Sequence, residues 1–261
     1  MNSVRVMSFN LRGAHFEDGE HRWERRAQLT AQLIRRYAPD LIGFQEFEEE
    51  NLLFYREHLG EYDFELGPHY NDSPPHQHPA IAWSPDRLRL TAGGGFWLSE
   101  TPDRHSQSWG TECTRAAHWA IFQDIADGRC FVHLNTHLDH ISEPARLGGA
   151  QLIASSLPLI RDALPAIITG DFNCVPCSPA HAALVAAGYR DTDDINPPSG
   201  PQPTFHGFLG PTYTPLYHSD IDRIDWVLAD GFTPSRSQII RDAEPPRYPS
   251  DHYPVIADLS W

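Results

Sequence analysis

Six short blocks of acid, amide and imidazole residues sit at the ends of apolar runs. Ser8-Phe9-Asn10, Gln45-Glu46, Asn135-Thr136-His137-Leu138-Asp139-His140, Gly170-Asp171-Phe172-Asn173 and Ser250-Asp251-His252 each follow a run, and Arg223-Ile224-Asp225-Trp226 opens one. A single Asp or Asn in such a place ordinarily caps a turn. Six blocks, each offering groups that bind cations or move protons, carry much more information than one. They bring together carboxylates, amides and imidazoles, which suits acid–base work and the binding of a hard cation.

The elements that must position these groups are legible from periodicity. Val4–Asn10 alternates apolar residues as a strand; Trp23, Ala27, Thr30, Leu33, Ile34 and Tyr37 recur at helical spacing up to Pro39; Leu41–Gln45 is a second apolar strand. The pattern recurs with a strand at Cys130–Asn135, helical spacing at Ile153, Leu157, Ile160 and Leu164, and a strand at Ala166–Gly170. A strand–helix–strand crossover of this length makes its strands parallel, so their C-terminal ends meet at one sheet edge. Asn10 and Glu46 stand at that edge in the first unit, His137 and Asp171 in the second, with separations of 36 and 34 residues. Such an edge is where open α/β sheets bind ligands.

Between the units, Ala80–Trp83, Leu88–Phe96, His118–Asp124 and Cys130–Asn135 read as successive antiparallel strands. A short helix near Pro179–Ala187 and strands near Asp225–Ala229 and Tyr253–Leu259 complete the pattern. Pro68–Pro79 and Asn196–Ser219 lack periodicity and read as surface loops, the second long enough to shape a pocket. No stretch reads as an interdomain linker, so residues 1–261 are expected to form one domain.

Composition sets limits on function. With 40% hydrophobic and 21% charged residues the chain can bury a full core. All 20 basic residues are arginine, which excludes lysine-dependent chemistry, and the net charge of −15 disfavours avid non-specific binding to duplex nucleic acid. No segment reads as a signal peptide or membrane span, and four cysteines are too few for a disulfide scaffold, so a reducing cytoplasm and a monomer are the expectation. Cys174-Val-Pro-Cys177 has the spacing of half a zinc site or of a redox pair, but no second half accompanies it, and it reads as two ordinary cysteines.

The ordered set of blocks, from Val4 to the C-terminus, resembles the endonuclease/exonuclease/phosphatase superfamily, and Phe96-Trp97-Leu98-Ser99-Glu100-Thr101-Pro102 is similar to a bacterial branch of it. The resemblance implies a four-layered α/β sandwich, two mixed β-sheets packed face to face with helices outside, and hydrolysis of phosphate esters with Mg²⁺, or alternatively Mn²⁺. It implies Glu46 as principal metal ligand with Asn10 beside it and Asp251 binding directly or through water. It implies Asp171 as the carboxylate that orients or deprotonates water and Asn173 as a holder of that water or of a phosphate oxygen. His252 would bind the phosphate while Asp225 orients it, and His137 would stabilise phosphoryl charge or protonate the leaving oxygen. The combination is chemically coherent because an anionic ester repels nucleophiles until its developing charge is neutralised.

Arg12, Arg115 and Arg146 each sit near a block and are candidates to clamp phosphate bidentately. Asp139 and His140 are candidates to orient His137 or bind metal. Trp97, Trp109 and Trp119 are candidate pocket walls that core packing would explain as well, and His69, His76 and His78 read as solvated. The expected substrate is a small or short organic phosphate, with a Mg²⁺-dependent nuclease as the alternative. Two remoter readings are a zinc hydrolase of the metallo-β-lactamase type, disfavoured because Asn135 stands where its motif has a histidine, and an inactive binding module, disfavoured because every block is intact.

Overall fold

The computed structural model describes residues 3–195, 199–216 and 221–261. Twelve strands form two six-stranded mixed sheets. In the first sheet, β1 (Ser3–Asn10) lies parallel to β2 (Leu41–Glu48) and antiparallel to β12 (Val255–Ser260). β11 (Thr233–Ile239) flanks β12, while β4 (Gln77–Trp83) and then β3 (Asp63–Glu65) flank β2. In the second, β7 (Cys130–His137) is parallel to β8 (Ala166–Asp171). β6 (Ala116–Asp124) and β5 (Leu88–Trp97) extend it on one side, and β10 (Asp225–Asp230) and β9 (Arg190–Asp191) on the other.

Helices α1 (Ala27–Tyr37) and α2 (Glu49–His58) cover the outer face of the first sheet through a core of Trp23, Ala31, Ile34, Phe9, Phe44 and Tyr55. Helices α3 (Glu143–Arg161) and α4 (Pro179–Ala186) cover the second through Ile153, Leu157, Leu184, Ile168 and Trp226. The inner faces meet across Val6, Leu41, Ile81, Phe122, Ile167, Val227 and Ala257. Alternating inward and outward apolar residues along each central strand supply all three cores, and the result is a four-layer α/β sandwich. No described helix is long and apolar enough to cross a membrane.

The sheets approach closely at Gly43, where a Cβ would fall 2.0 Å from Thr169 Oγ1 and 2.6 Å from Asn135 Oδ1. Asn135 fastens the seam: its Nδ2 donates to Phe44 O (2.6 Å) and Ala80 O (2.9 Å), and its Oδ1 accepts from Gln45 Nε2 (2.7 Å) and Thr169 Oγ1 (3.1 Å). Beside it His133 Nε2 donates to Thr169 Oγ1 at 2.8 Å, while burial lowers the imidazole to about 3, so it is neutral. Between pH 6.5 and about 3 an unfolded chain would bind a proton here that the native one refuses, so this group's contribution to native stability is lost as pH falls through that window. The slope is about 1.4 kcal/mol per pH unit. Replacing His133 by Gln is expected to remove that one-proton component from urea-unfolding measurements between pH 6 and 4. An unchanged slope would refute the assignment.

Several expectations need correction. Ala80–Trp83 pairs with β2 in the opposite sheet instead of joining the antiparallel series. Pro68–Pro79 is only partly a surface loop, since β4 begins at Gln77, Tyr70 N donates to Gln77 O, and Tyr70 and His78 are buried. His69 and His76 are half-buried, each with Nδ1 near Asn71 O, so none of the three histidines is freely solvated. The second helix of the repeated pattern starts at Glu143 and ends at Arg161, short of Leu164, and the last strand starts at Val255 because Pro254 precedes it. Of the Asn196–Ser219 segment, 196–198 and 217–219 lie outside the described residues; within the remainder Phe205 bridges to His252. Cys174 is buried and Cys177 exposed, both free, as two ordinary thiols.

Candidate active site

Strand register assembles the site. In the parallel pair of the second sheet His137 stands opposite Asp171, and across the antiparallel neighbour Asp171 stands opposite Asp225, so three polar groups line up on three adjacent strand ends. In the first sheet Asn10 pairs with Gln45, which places Glu46 one residue beyond the ladder. A bulge between Phe44 and Phe47 releases Glu46 from β4 and gives it a left-handed φ of 55°. Arg12 (φ 52°) and Asn173 (φ 50°) share that sparsely populated conformation, so backbone strain gathers around one rim.

The two halves meet at Asp171. Its Oδ2 accepts from Asn10 Nδ2 at 2.9 Å and lies 3.4 Å from His137 Nε2 and 3.7 Å from His252 Nε2; its Oδ1 accepts from the Asn173 amide at 3.0 Å. Burial, then the charge of Asp225, pushes the Asp171 carboxyl above the usual carboxylate range. His252 Nδ1 is 2.9 Å from Asp225 Oδ2. Although burial opposes it, Asp225, Asp171 and Asp251 raise the imidazole to about 10, so it is a cation at neutral pH. His137 is the reverse case: burial, reinforced by Arg115 and the neighbouring imidazoles, holds it well below its ordinary range and neutral.

Two oxygens are conspicuous for lacking partners. Glu46 Oε2 and Asp225 Oδ1 are buried without a hydrogen bond to any described residue, a cost that a bound cation would remove. Glu46, with Asp251 lining the same cleft, offers the hard oxygens a divalent ion takes. Asp171, Asp225 and His252 form a second donor group with ligand atoms within 4.8 Å of one another, but there the His252 Nδ1 is already engaged by Asp225. Asn10 turns its nitrogen toward Glu46 (3.2 Å) and Asp171, and its oxygen accepts from the Arg12 amide. In this arrangement it cross-links two carboxylates.

The arginine candidates separate. Arg12 and Arg115 line a cleft of about 920 Å³ together with Glu46, Asp171, Asp251 and His252. Arg12 is held bidentately by Asp18 (3.1 and 3.0 Å), stacks on Phe16, and has Nε 3.7 Å from Asp251. Arg146 is not in the cleft. It projects from the first turn of α3, donates to Asp139 O at 3.1 Å and lines a small separate pocket with Cys174 and Ser178, so its expected role as a phosphate clamp is withdrawn.

Asp139 is structural. It accepts from Thr111 Oγ1 and the amides of Ile141 and Ser142, tying the 109–115 segment to the start of α3. Among the tryptophans, Trp97 donates to His69 O, Trp109 packs on Gly148 and Trp119 on Gly94; none lines the cleft.

Three contributors were not anticipated. Tyr70 is buried in the cleft wall, edge-on to His137 at 5.9 Å, with no hydrogen-bond partner for its hydroxyl among the described residues. Phe205 packs against His252 at 5.1 Å. Arg26, fully buried at the base of the rim, donates to Leu11 O, Arg12 O, His21 O and Pro249 O, joining the chain after β1 to the chain before Asp251. A lone Tyr among His and Pro, or an Arg among Glu and Arg, gives no sequence signal for such burial.

Residues 7–252 match the endonuclease/exonuclease/phosphatase family. The chain belongs to that family. Among solved structures of the family, one from Bacteroides thetaiotaomicron, 30% identical, superposes with a TM-score of 0.88 over 99% of this chain and 97% of the other. The chain is also similar to the mannosyl-6-phosphatase Bt3783 of Bacteroides thetaiotaomicron VPI-5482, at 29% identity and a TM-score of 0.90 over 99% and 100% of the two chains. An uncharacterised protein, L388 of Acanthamoeba polyphaga mimivirus, is 30% identical over 73% of this chain and 68% of its own. Members of the endonuclease/exonuclease/phosphatase family are phosphoesterases. The zinc-hydrolase alternative has no support, since Asn135 is sealed in the seam between the sheets.

Proposed function

We propose that the protein is a divalent-metal-dependent hydrolase that delivers water to the phosphorus of a small or short organic phosphate. The observation that carries this reading is the convergence on Asp171 Oδ2 of Asn10, His137 and His252, beside the unpartnered oxygen of Glu46. Glu46 and Asp251, with Asn10 beside them, would hold Mg²⁺ or Mn²⁺. When bound, the ion supplies charge neutralisation for the phosphoryl oxygens.

The remaining work belongs to side chains. Asp171, pushed up by its surroundings, takes a proton from the attacking water. The Asn173 amide holds the other Asp171 oxygen, while its side chain donates to Leu138 O, so the carboxylate cannot rotate away. His252, kept charged by Asp225, contacts the phosphoryl group as a cation; His137 donates from Nε2 as a neutral group. Arg12 stands at the mouth of the site with its charge partly spent on Asp18. The similarity to a protein named as a mannosyl-6-phosphatase supports trying phosphate monoesters first.

The test is a turnover screen with Mg²⁺ or Mn²⁺ across p-nitrophenyl phosphate, bis-p-nitrophenyl phosphate, sugar phosphates, inositol phosphates, oligonucleotides and duplex DNA. With no lysine and a net charge of −15, the protein is expected to engage few phosphates, so KM should change less than about tenfold between 50 and 200 mM salt. A strong preference for long duplex with a steep salt slope would overturn the small-substrate reading in favour of a nuclease.

A further inference from the structure

Arg115 precedes β6, is 8% exposed, and lies with its guanidinium 5.7 Å from the ring centre of Tyr70. One Nη is 3.2 Å from His137 Nδ1 and the other 3.3 Å from His140 Nδ1. A guanidinium has hydrogens to donate and no lone pair to offer, so both Nδ1 atoms must be acceptors. Each imidazole then carries its proton on Nε2, and protonation of either ring would set two donors against each other. For His137 the Nε2–H faces Asp171 Oδ2 at 3.4 Å. His140 is exposed, lines the cleft, and its Nε2 makes no hydrogen bond with a described residue.

We propose that Arg115 is a positioning residue that fixes both imidazoles as neutral Nε2–H donors, and that His140 uses its donor to bind an oxygen of the alcohol leaving group. The proposal rests on the phosphoester-hydrolase reading of the same cleft and names the ligand class: a hydroxyl-bearing alcohol such as a sugar. Asn71, Asp72, Gln107 and Glu112, which line the cleft with His140, provide amides and carboxylates of the kind that pair with hydroxyls. Arg115 thus acts on the phosphate through His137 and is not itself a bidentate clamp.

The tautomers are read directly by long-range ¹⁵N–¹H correlation on histidine-labelled protein. The wild type should show Nδ1 unprotonated in His137 and His140, and Arg115→Met should lose that single form; an Nδ1–H on either ring of the wild type overturns the proposal without any variant. His140→Ala should raise KM for glucose 6-phosphate about three- to tenfold more than for p-nitrophenyl phosphate, which lacks hydroxyls. His140→Gln, which keeps an N–H donor, should bring KM for glucose 6-phosphate back toward the wild-type value. Equal effects on both substrates would refute the contact. Calorimetric binding of glucose 6-phosphate to Mg²⁺-loaded Asp171→Asn protein, with and without His140→Ala, measures the same contact without turnover. Absent turnover by the wild type with this binding difference intact would therefore overturn the hydrolase reading alone.

Discussion

Glu46→Gln is expected to lower kcat for phosphate-ester hydrolysis by roughly 10²–10³-fold while leaving the protein folded. The side chain keeps its shape and loses the charge that its buried, unpartnered Oε2 presents to the cleft. The Oε2 that loses its charge has no hydrogen bond to any described residue, so the metal-free variant should be about as stable as the metal-free wild type. Addition of Mg²⁺ should raise the melting temperature of the wild type and not that of the variant, because only a state that binds the ion is stabilised by it. Asp225→Asn separates the two possible donor groups: if the ion is held at Glu46, this variant keeps the Mg²⁺-induced shift. Retention of the shift by Glu46→Gln with its loss in Asp225→Asn would move the ion to the Asp171, Asp225 and His252 group. Activity that survives both EDTA and Glu46→Gln would end the metal-dependent reading.

The second large effect concerns Asp225 and His252, which are 27 residues apart in sequence and 2.9 Å apart in space. Each substitution, Asp225→Asn or His252→Gln, should reduce kcat by roughly 10²–10⁴-fold. The double variant should be little worse than the poorer single one, because the orienting contribution of a carboxylate is lost once the imidazole has gone. Single-turnover rates of all four proteins decide the matter. Fully additive losses would show that the two residues act independently in spite of their contact.

How much of this was legible in the sequence depends on where each signal resides. The two parallel pairs, β1–β2 and β7–β8, were readable because each strand carries an alternating or continuous apolar run and the intervening helix carries its own period. Their ends then placed Asn10, Glu46, His137 and Asp171 on one rim. β11 was not readable, since Thr233–Ile239 is a mostly exposed edge strand of polar residues that borrows its conformation from β12. α2 was missed because its apolar run, Leu52 to Tyr55, is contiguous and lacks a helical stripe; of its residues only Asn51 and Tyr55 are buried. Arg146 misled because nearness in sequence to His140 does not survive the start of α3, which turns the side chain toward Asp139 O. The roles of Arg115 and Tyr70 are tertiary, set by loops whose residues have no period to read.

The pairing of β1 with β12 has a consequence for how the site comes into being. Ser3 aligns with Ser260 and Ser8 with Val255, so one edge of β1 waits for a strand made some 250 residues later. Asp251 and His252 travel with that late strand, whereas Asn10 and Glu46 are in place early. During elongation the nascent chain would carry an open sheet edge and an incomplete constellation of acids, and the loop closed by this pairing spans some 250 residues. Such long-range topology slows folding and exposes unpaired edges. Chemical competence should therefore appear all at once, when β12 docks, and not gradually as the halves fold.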